Sequence, residues 1–490
     1  MKTSQVKQRK ILKSILILIM LVAFVFLAFG VQCGWSGIKM VRGVLGGRSD
    51  EFERYYPVVE WCTSRLPFTN KLDKILNGNY LILLQNNTEL RATGGFPGTY
   101  ARVTFENGAL KDMSINDLYQ PDGQLPGHVE PPYPVQEAFL QGWYKLRDSN
   151  WDPDYASAAA TMDWFFEKGG ETKVDGIVAV NLGLLTKWLE IMGPIKVSPY
   201  NETVNAGNLY PLAQAYAETR IFENVTLKKE FVGATGEALW ERTKTASWIE
   251  LAKLGSLIVD QLNKKQILIW TKDPDIQKDV IDTGWDGGLT TGWDGSGDYL
   301  YVVDSNMGAN KADCCIGRQV KLDIEKNGNE SREIIFLKWQ NNNKPKEFDS
   351  ISWGGPYNDY VRVIIPKSGV TGLKVKVGDK ILREATAEDF SIPNSLRQNK
   401  SLDFYVVEER NYQDDSKSLQ IVGFWLPTID LGKTETAEIE LVSKRNPQGN
   451  YKLWVKRQPG VDDLDFKAFG NGKILVNEKI PADKSYLWEL

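Results

Sequence analysis

Histidine is almost missing from this chain of 490 residues, where His128 is the sole example. That excludes a zinc site with two or three histidine ligands, any two-histidine metal centre and a haem held by two histidines. One Ser-His-Asp triad stays formally open, yet no serine stands in a nucleophile-elbow motif. Cysteine is scarce too: Cys33, Cys62, Cys314 and Cys315 are too few for a disulfide scaffold and lack metal-ligand spacing. The adjacent pair 314–315 leaves three options open: a vicinal bridge, a bridge from one member to Cys62, or two buried thiols. Charge of one sign is lacking as well. With 59 Lys+Arg against 63 Asp+Glu the formal charge is −4, which gives no basis for binding nucleic acid. No Gly-Lys-Ser/Thr sequence closes a Walker A loop.

Aromatic residues are plentiful, with 16 Trp, 19 Tyr and 19 Phe, so the composition is not that of a disordered chain. The length allows two to four domains with sizeable cores. Residues 14–38 contain no Asp, Glu, Lys or Arg, and 15–31 are almost wholly aliphatic or aromatic. As a helix, residues 14–33 would rise about 30 Å, the thickness of a hydrocarbon core. Lys2, Lys7, Arg9, Lys10 and Lys13 precede this run and no acid does, which predicts a cytoplasmic N-terminus and an extracytoplasmic bulk. A cleaved signal peptide is the other reading; the length of the apolar run favours an uncleaved single-pass anchor. Membrane lipid is then the first expected partner, and Cys33 is expected at its surface.

The remaining chain divides by pattern. Residues 1–13 form a cytoplasmic tail, 14–34 the anchor, 35–75 a helical stalk and 76–283 an α/β domain. Residues 284–370 are a β-rich region and 371–490 a C-terminal antiparallel β-sandwich. Within 76–283 a buried strand is expected at 80–84, then a hairpin from 99–106 to 109–115 turning on Asn107-Gly108. Helices are expected at 135–146, from Asp152-Pro153-Asp154 to Gly169-Gly170, at 182–192 and through most of 208–262, with strands at 174–180 and 267–270. Nine short alternating runs between 299 and 455 predict strands.

Two segments stand out chemically. Residues 86–98 follow the first strand and combine Glu89, Arg91, Gly94 and Gly95 with a proline and a third glycine. Beyond the end of a strand such a loop suits an anion, with glycine N–H groups and a forked guanidinium; a tight structural corner is the equal alternative. The second is a local repeat, Gly284-Trp285-Asp286-Gly287 and Gly292-Trp293-Asp294-Gly295. Trp beside Asp on turns suits stacking on sugar rings; plugging a domain junction is the simpler reading.

The residues Asn87-x-Glu89-Leu90-Arg91-x-x-Gly94-Gly95-Phe96-x-Gly98, Val174-Asp175-Gly176-Ile177, Gly193-Pro194 and Asp304-x-Asn306-x-Gly308-x-Asn310-Lys311 resemble the bacterial domain of unknown function 4012 family, over roughly residues 76–370. More distantly, the order of strand, Arg-bearing segment, hairpin ending in Ser114-Ile115-Asn116-Asp117, helix and strand resembles the LytR-CpsA-Psr family. So does Ala213-x-Ala215-Tyr216-x-x-x-Arg220. That second resemblance implies an LytR-CpsA-Psr-like α/β domain on a membrane anchor, transferring a glycopolymer from polyprenyl pyrophosphate to peptidoglycan. It implies that Arg91 and Arg220 hold the pyrophosphate and that Asp117 holds magnesium; Glu89, which the resemblance does not supply, is the candidate substitute for a metal carboxylate this chain lacks. Where that family opens its hairpin with Arg-Ser-Asp-Thr, this chain has Gly95-Phe96-Pro97-Gly98-Thr99, and Asn116 replaces an arginine.

Two functional expectations follow. One is an envelope protein that binds or scaffolds glycan or polyprenyl-linked lipid through an α/β groove. The other is a magnesium-dependent phosphotransferase or pyrophosphatase.

Overall fold

The computed structural model describes residues 32–64, 67–218, 231–343, 354–385, 405–411, 414–446 and 450–490. The expected anchor lies outside them except for residues 32–34, and among the described residues no helix is long and apolar enough to cross a membrane.

The first two helices, α1 (32–45) and α2 (Ser49–Thr63), pack through Met40, Phe52 and Val59. A Cys33–Cys62 disulfide, with Cα atoms 5.9 Å apart, ties the start of α1 to the end of α2. Of the options open for the adjacent pair, two thiols is the one the structure has, while the bridge to Cys62 comes from Cys33, a pairing the sequence does not suggest. Cys62 pairs with the residue expected at the membrane surface, and Cys314 and Cys315 form no disulfide; they are exposed and half-buried, not buried. Helical the stalk is, but it does not stand apart. After α3 (Leu72–Ile75) the chain enters the α/β domain, and Arg42 of α1 donates to the Ala246 carbonyl there (3.1 Å). Lys71 pairs with Asp279 (2.7 Å), and Phe68 stacks on Trp285 at 5.5 Å.

The α/β domain is a sheet covered on both faces. In chain order its elements are β1 (Asn79–Arg91), β2 (Gly94–Glu106), β3 (Ala109–Asp117), α4 (Tyr119–Asp122), α5 (Tyr133–Phe139), α6 (Tyr155–Lys168), β4 (Gly176–Asn181) and α7 (Gly183–Met192). Then come β5 (Ile195–Val197), β6 (Glu202–Val204), α8 (Leu209–Glu218), α9 (Phe231–Lys244), α10 (Trp248–Asn263), β7 (Ile267–Thr271) and α11 (Pro274–Asp282). The strand order is β3-β2-β1-β4-β7, with β1 and β4 the parallel pair. Alternation along β1 sends Leu81 and Leu83 towards α6, against Tyr155, Met162 and Phe165, and Ile82 and Leu84 towards α7 and α10. The β2–β3 hairpin turns on Asn107 and Gly108 at φ 52° and 76°, as that dipeptide requires.

Several expected boundaries move. The helix expected at 135–146 ends at Phe139, because Leu140 takes a left-handed φ of 47°. Helix α6 is capped by Asp154, whose side chain accepts the Ser157 amide, while Asp152 pairs with Arg410 (2.8 Å). Around 245 a break separates α9 from α10, where Ser247 and Glu250 form a capping box.

The β-rich half is one sandwich, not a region to 370 and a separate domain beyond it. Its strands are β8 (Asp298–Val303), β9 (Ile316–Asn327), β10 (Glu330–Asn341), β11 (Tyr360–Pro366), β12 (Val370–Val377), β13 (Lys380–Ala385) and β14 (Tyr405–Arg410). They continue with β15 (Leu419–Trp425), β16 (Thr434–Ser443), β17 (Asn450–Lys456), β18 (Leu464–Gly470), β19 (Lys473–Ile480) and β20 (Lys484–Glu489). One sheet runs β13-β12-β16-β10-β9-β18-β19 and the other β14-β15-β11-β8-β17-β20. In each sheet two strands from before residue 370 lie side by side in the middle, flanked by strands from beyond it, and all share one core, including Val320, Ile335, Val363, Phe424, Ile439 and Phe466. Nor is it wholly antiparallel, since β8–β17 and β9–β18 are parallel pairs.

Candidate functional site

Residues 86–98 fold as strand, bulge and turn rather than as an open loop. Strands β1 and β2 continue pairing to Leu90–Gly95 and Arg91–Gly94, with register shifts between Leu84 and Gln85 and between Asn86 and Leu90. The second shift drops Asn87, Thr88 and Glu89 out of the ladder. Gly94 and Gly95 serve this corner. A Cβ on Gly95 would lie 2.1 Å from the Asn86 carbonyl carbon, and the Gly95 amide donates to Asn181 Oδ1 (3.1 Å). Neither glycine lines the adjoining cavity.

That cavity, about 740 Å³, opens beyond the carboxyl end of β1. Its polar lining includes Thr88, Glu89 and Arg91 from the bulge, Asp117 at the end of β3, Arg147 and Asp148 from a 3₁₀ turn, and Lys311 from a loop before β9. Its apolar lining comes from Leu84, Phe96, Phe139, Leu182, Ala213, Phe231 and Val232, with Tyr119 and Tyr210 between. Arg91, Glu89 and Asp117, singled out from sequence, therefore share one cavity. Arg220 lies outside the described residues.

Arg91 is buried and heavily engaged. It pairs with Glu89 (2.9 Å), donates to the Leu90 and Asn306 carbonyls, and lies over Phe96 and Phe139 at 5.4 and 5.9 Å. Burial pushes the Glu89 carboxyl up, against the opposing pull of Arg91 and Lys311. Asp148 is likewise pushed up by burial and drawn back by Arg91 and Arg147; it accepts from Gln141 (3.2 Å). Arg147 pairs with Asp122 (3.0 Å) and covers the Tyr119 ring at 5.0 Å. The ammonium of Lys311 has no ion pair or hydrogen bond among the described residues. The motif that ends in Lys311 gives it no role from sequence alone. Arg147 and Asp148 carried no sequence signal, since they sit in an irregular stretch between two helices.

Among the described residues the cavity's carboxylates are not arranged as a magnesium site. Oε1 of Glu89 is held by Arg91, Oδ1 of Asp117 accepts the Tyr119 amide (3.0 Å), and no group of three or more His, Cys, Asp or Glu among the described residues is arranged for a metal.

The Trp-Asp repeat lies elsewhere, and Trp285, Asp286, Trp293 and Asp294 do not line the cavity. Trp285 donates to Asn263 (3.0 Å) besides stacking on Phe68. Asp286 is buried and accepts from Thr291 (2.7 Å). Trp293, 2% exposed, packs on Tyr299 with its face turned from solvent, and Asp294 pairs with Lys452 (2.6 Å). His128 is exposed beside Trp143, away from the cavity.

Most of the cavity-forming residues fall in the segment that comparison with known families picks out. Residues 77–217 match the family model described as protein of unknown function, DUF4012. The resemblance read from the sequence holds over this DUF4012 segment, which carries Glu89, Arg91, Asp117, Arg147 and Tyr210, while Lys311 lies beyond it. No curated protein matches the chain. Among solved structures, the X-ray structure of the Lin1025 protein from Listeria innocua is similar at 12% identity and a TM-score of 0.24, covering 43% of this chain and 79% of that one. A likeness that slight carries no argument, and neither match speaks to the LytR-CpsA-Psr family.

Proposed function

We propose that this is a single-pass, membrane-anchored envelope protein whose cavity holds an amphiphile with an anionic, phosphate-bearing head and an apolar tail. A polyprenyl-linked glycan has that chemistry. The observation that carries the reading is the lining itself: Arg91, Arg147 and Lys311, set among the carboxylates of Glu89, Asp117 and Asp148, share one space of about 740 Å³ with a wall of Leu, Phe and Ala residues. The charge-free run over 14–38, preceded by five basic residues, supports the location. The test uses the full chain in lipid nanodiscs and titrates farnesyl phosphate, farnesol and inorganic phosphate. Binding of farnesyl phosphate tighter than either of the other two supports the reading. Equal affinity for farnesyl phosphate and inorganic phosphate would exclude a role for the apolar wall.

The second reading is phosphotransfer from a polyprenyl pyrophosphate, favoured by the meeting of Arg91 and Asp117 in one cavity. Charge neutralisation would then rest on Arg91, Arg147 and Lys311, because the described carboxylates are not arranged for a metal. Release of phosphate from farnesyl pyrophosphate, lost in Asp117→Asn, would support it. Binding without release would leave the first reading alone.

A further inference from the structure

We propose that Lys311, a residue of the β-rich half, is the group that reads the anionic head of the ligand, and that Arg91 is a positioning residue. This inference rests on the amphiphile-binding reading and assigns its head-group contact.

Both residues line the cavity, but their donors are differently committed. Arg91 gives Nη1 protons to two main-chain carbonyls, pairs through Nη2 with Glu89, and is covered by two phenylalanine rings. An incoming phosphate would have to compete with a buried carboxylate already in place. Lys311 has no such competitor among the described residues. Lys311 is a half-buried residue, and its charge lies close enough to Glu89 to act on that carboxyl across the cavity. A cation held in that state gains most from an anion that enters the cavity.

The loop that carries Lys311 is fixed on both sides of it. Asn306 takes its amide to the Leu90 carbonyl (2.9 Å) and its side chain to the Asn310 carbonyl (3.0 Å) and Asp313 (2.8 Å). Asp313 in turn accepts the Leu90 amide (2.9 Å). Asn310 donates to the Pro356 carbonyl (2.7 Å) and accepts the Ala312 amide (3.2 Å). The family-like motif Asp304-x-Asn306-x-Gly308-x-Asn310-Lys311 thus acquires a physical reading. Its asparagines lock the backbone to the end of β1, and its lysine is the member left free to meet a ligand.

The test compares the wild-type full chain with Lys311→Met and Lys311→Arg in nanodiscs. Farnesyl phosphate and farnesol serve as probes, and thermal unfolding confirms the fold. The wild type is expected to prefer farnesyl phosphate by about tenfold or more. In Lys311→Met that preference disappears while farnesol affinity holds, and Lys311→Arg restores most of it. A Lys311→Met protein that keeps the phosphate preference overturns the inference and leaves the cavity reading standing. A wild type that binds neither probe overturns both. If inorganic phosphate alone binds as tightly as farnesyl phosphate and loses affinity in Lys311→Met, the inference stands and the amphiphile reading fails.

Discussion

The guanidinium of Arg91 donates to the main-chain carbonyl of Asn306, joining two residues 215 positions apart. Gln458 closes the same contact from another side, donating to the carbonyls of Arg91 (3.0 Å) and Asp304 (2.7 Å). The end of β1 is thereby fastened to the sandwich, and the cavity depends on both halves.

Arg91→Met should cost about 3–5 kcal/mol, because Glu89 would be left as a buried carboxylate without its partner. Adding Glu89→Gln should recover part of that loss. Urea unfolding of the two single variants and the double variant measures the coupling. Additive effects would show that the pair does not act as one.

A second ionic group joins the halves: Asp483 takes Lys265 on one side and Lys456 on the other, and both lysines are buried. Burial alone would raise the Asp483 carboxyl, but the two lysines bring it down to about 2. Burial pulls the Lys265 ammonium down to about 7 against the pull of Asp483. Asp483→Asn should therefore cost about 3–5 kcal/mol at neutral pH, and Lys265→Met distinctly less, since Asp483 keeps Lys456. The signs with pH differ. A carboxyl whose folded value lies below its unfolded one stabilises above about pH 4, and that contribution is lost as pH falls towards 2. For Lys265 the folded protein binds fewer protons than the unfolded chain between about pH 7 and 10, so stability rises with pH there. Melting temperatures of wild type and Asp483→Asn should converge as pH drops from 4 to 2. A constant gap would count against this pairing.

Gly95→Ala should disrupt the corner beneath Glu89, and Gly460→Ala should separate the halves. The first would place a Cβ 2.1 Å from backbone of Asn86; the second, at φ 81°, would place one 2.8 Å from the Gly94 Cα. Each should cost several kcal/mol, about 2 or more, by overpacking against main chain that cannot yield. Gly472→Ala tests only backbone strain, with nothing within 4 Å, and should cost about 1 kcal/mol.

Peptide mapping without reduction should find Cys33 cross-linked to Cys62, and Cys314 and Cys315 both open to alkylation. A bridge across 29 positions stabilises the paired helices by about 3–4 kcal/mol in the chain-entropy account. Cys33→Ser should accordingly expose α1 and α2 to proteolysis before the rest. A cross-link from Cys62 to Cys314 or Cys315 would contradict the pairing.

The sequence made local signals legible and hid those that need distant partners. Asn107-Gly108 announced its hairpin because the turn's positive φ values are a property of those two residues. Asn471-Gly472, with φ values of 48° and 79°, turns β18 into β19 by the same chemistry and could have been read in the same way. Residues 86–98 looked like a loop because Asn, Thr, Gly and Pro are turn formers. Pairing with β2 overrides that preference, and the bulge absorbs the misfit. Glu89, Arg91 and Asp117 came together in the sequence only through the LytR-CpsA-Psr resemblance; in the fold they stand at the ends of β1 and β3, on either side of β2. Lys311 and Arg147 arrive from separate parts of the chain, and only the folded contacts of Asn306 and Asp122 bring them in.

The interleaving of early and late strands sets a timetable for the cavity. Strand β8 finds one of its two neighbours in β17, and β9 finds one of its own in β18, so both sheets wait for residues 450–470 to be synthesised. Gln458 and Gly460, which press on Arg91 and Gly94, arrive in that same stretch. A chain cut short near its C-terminus would lose the cavity along with the sandwich, although every residue of the DUF4012 segment had been made. The DUF4012 segment alone therefore cannot complete the site.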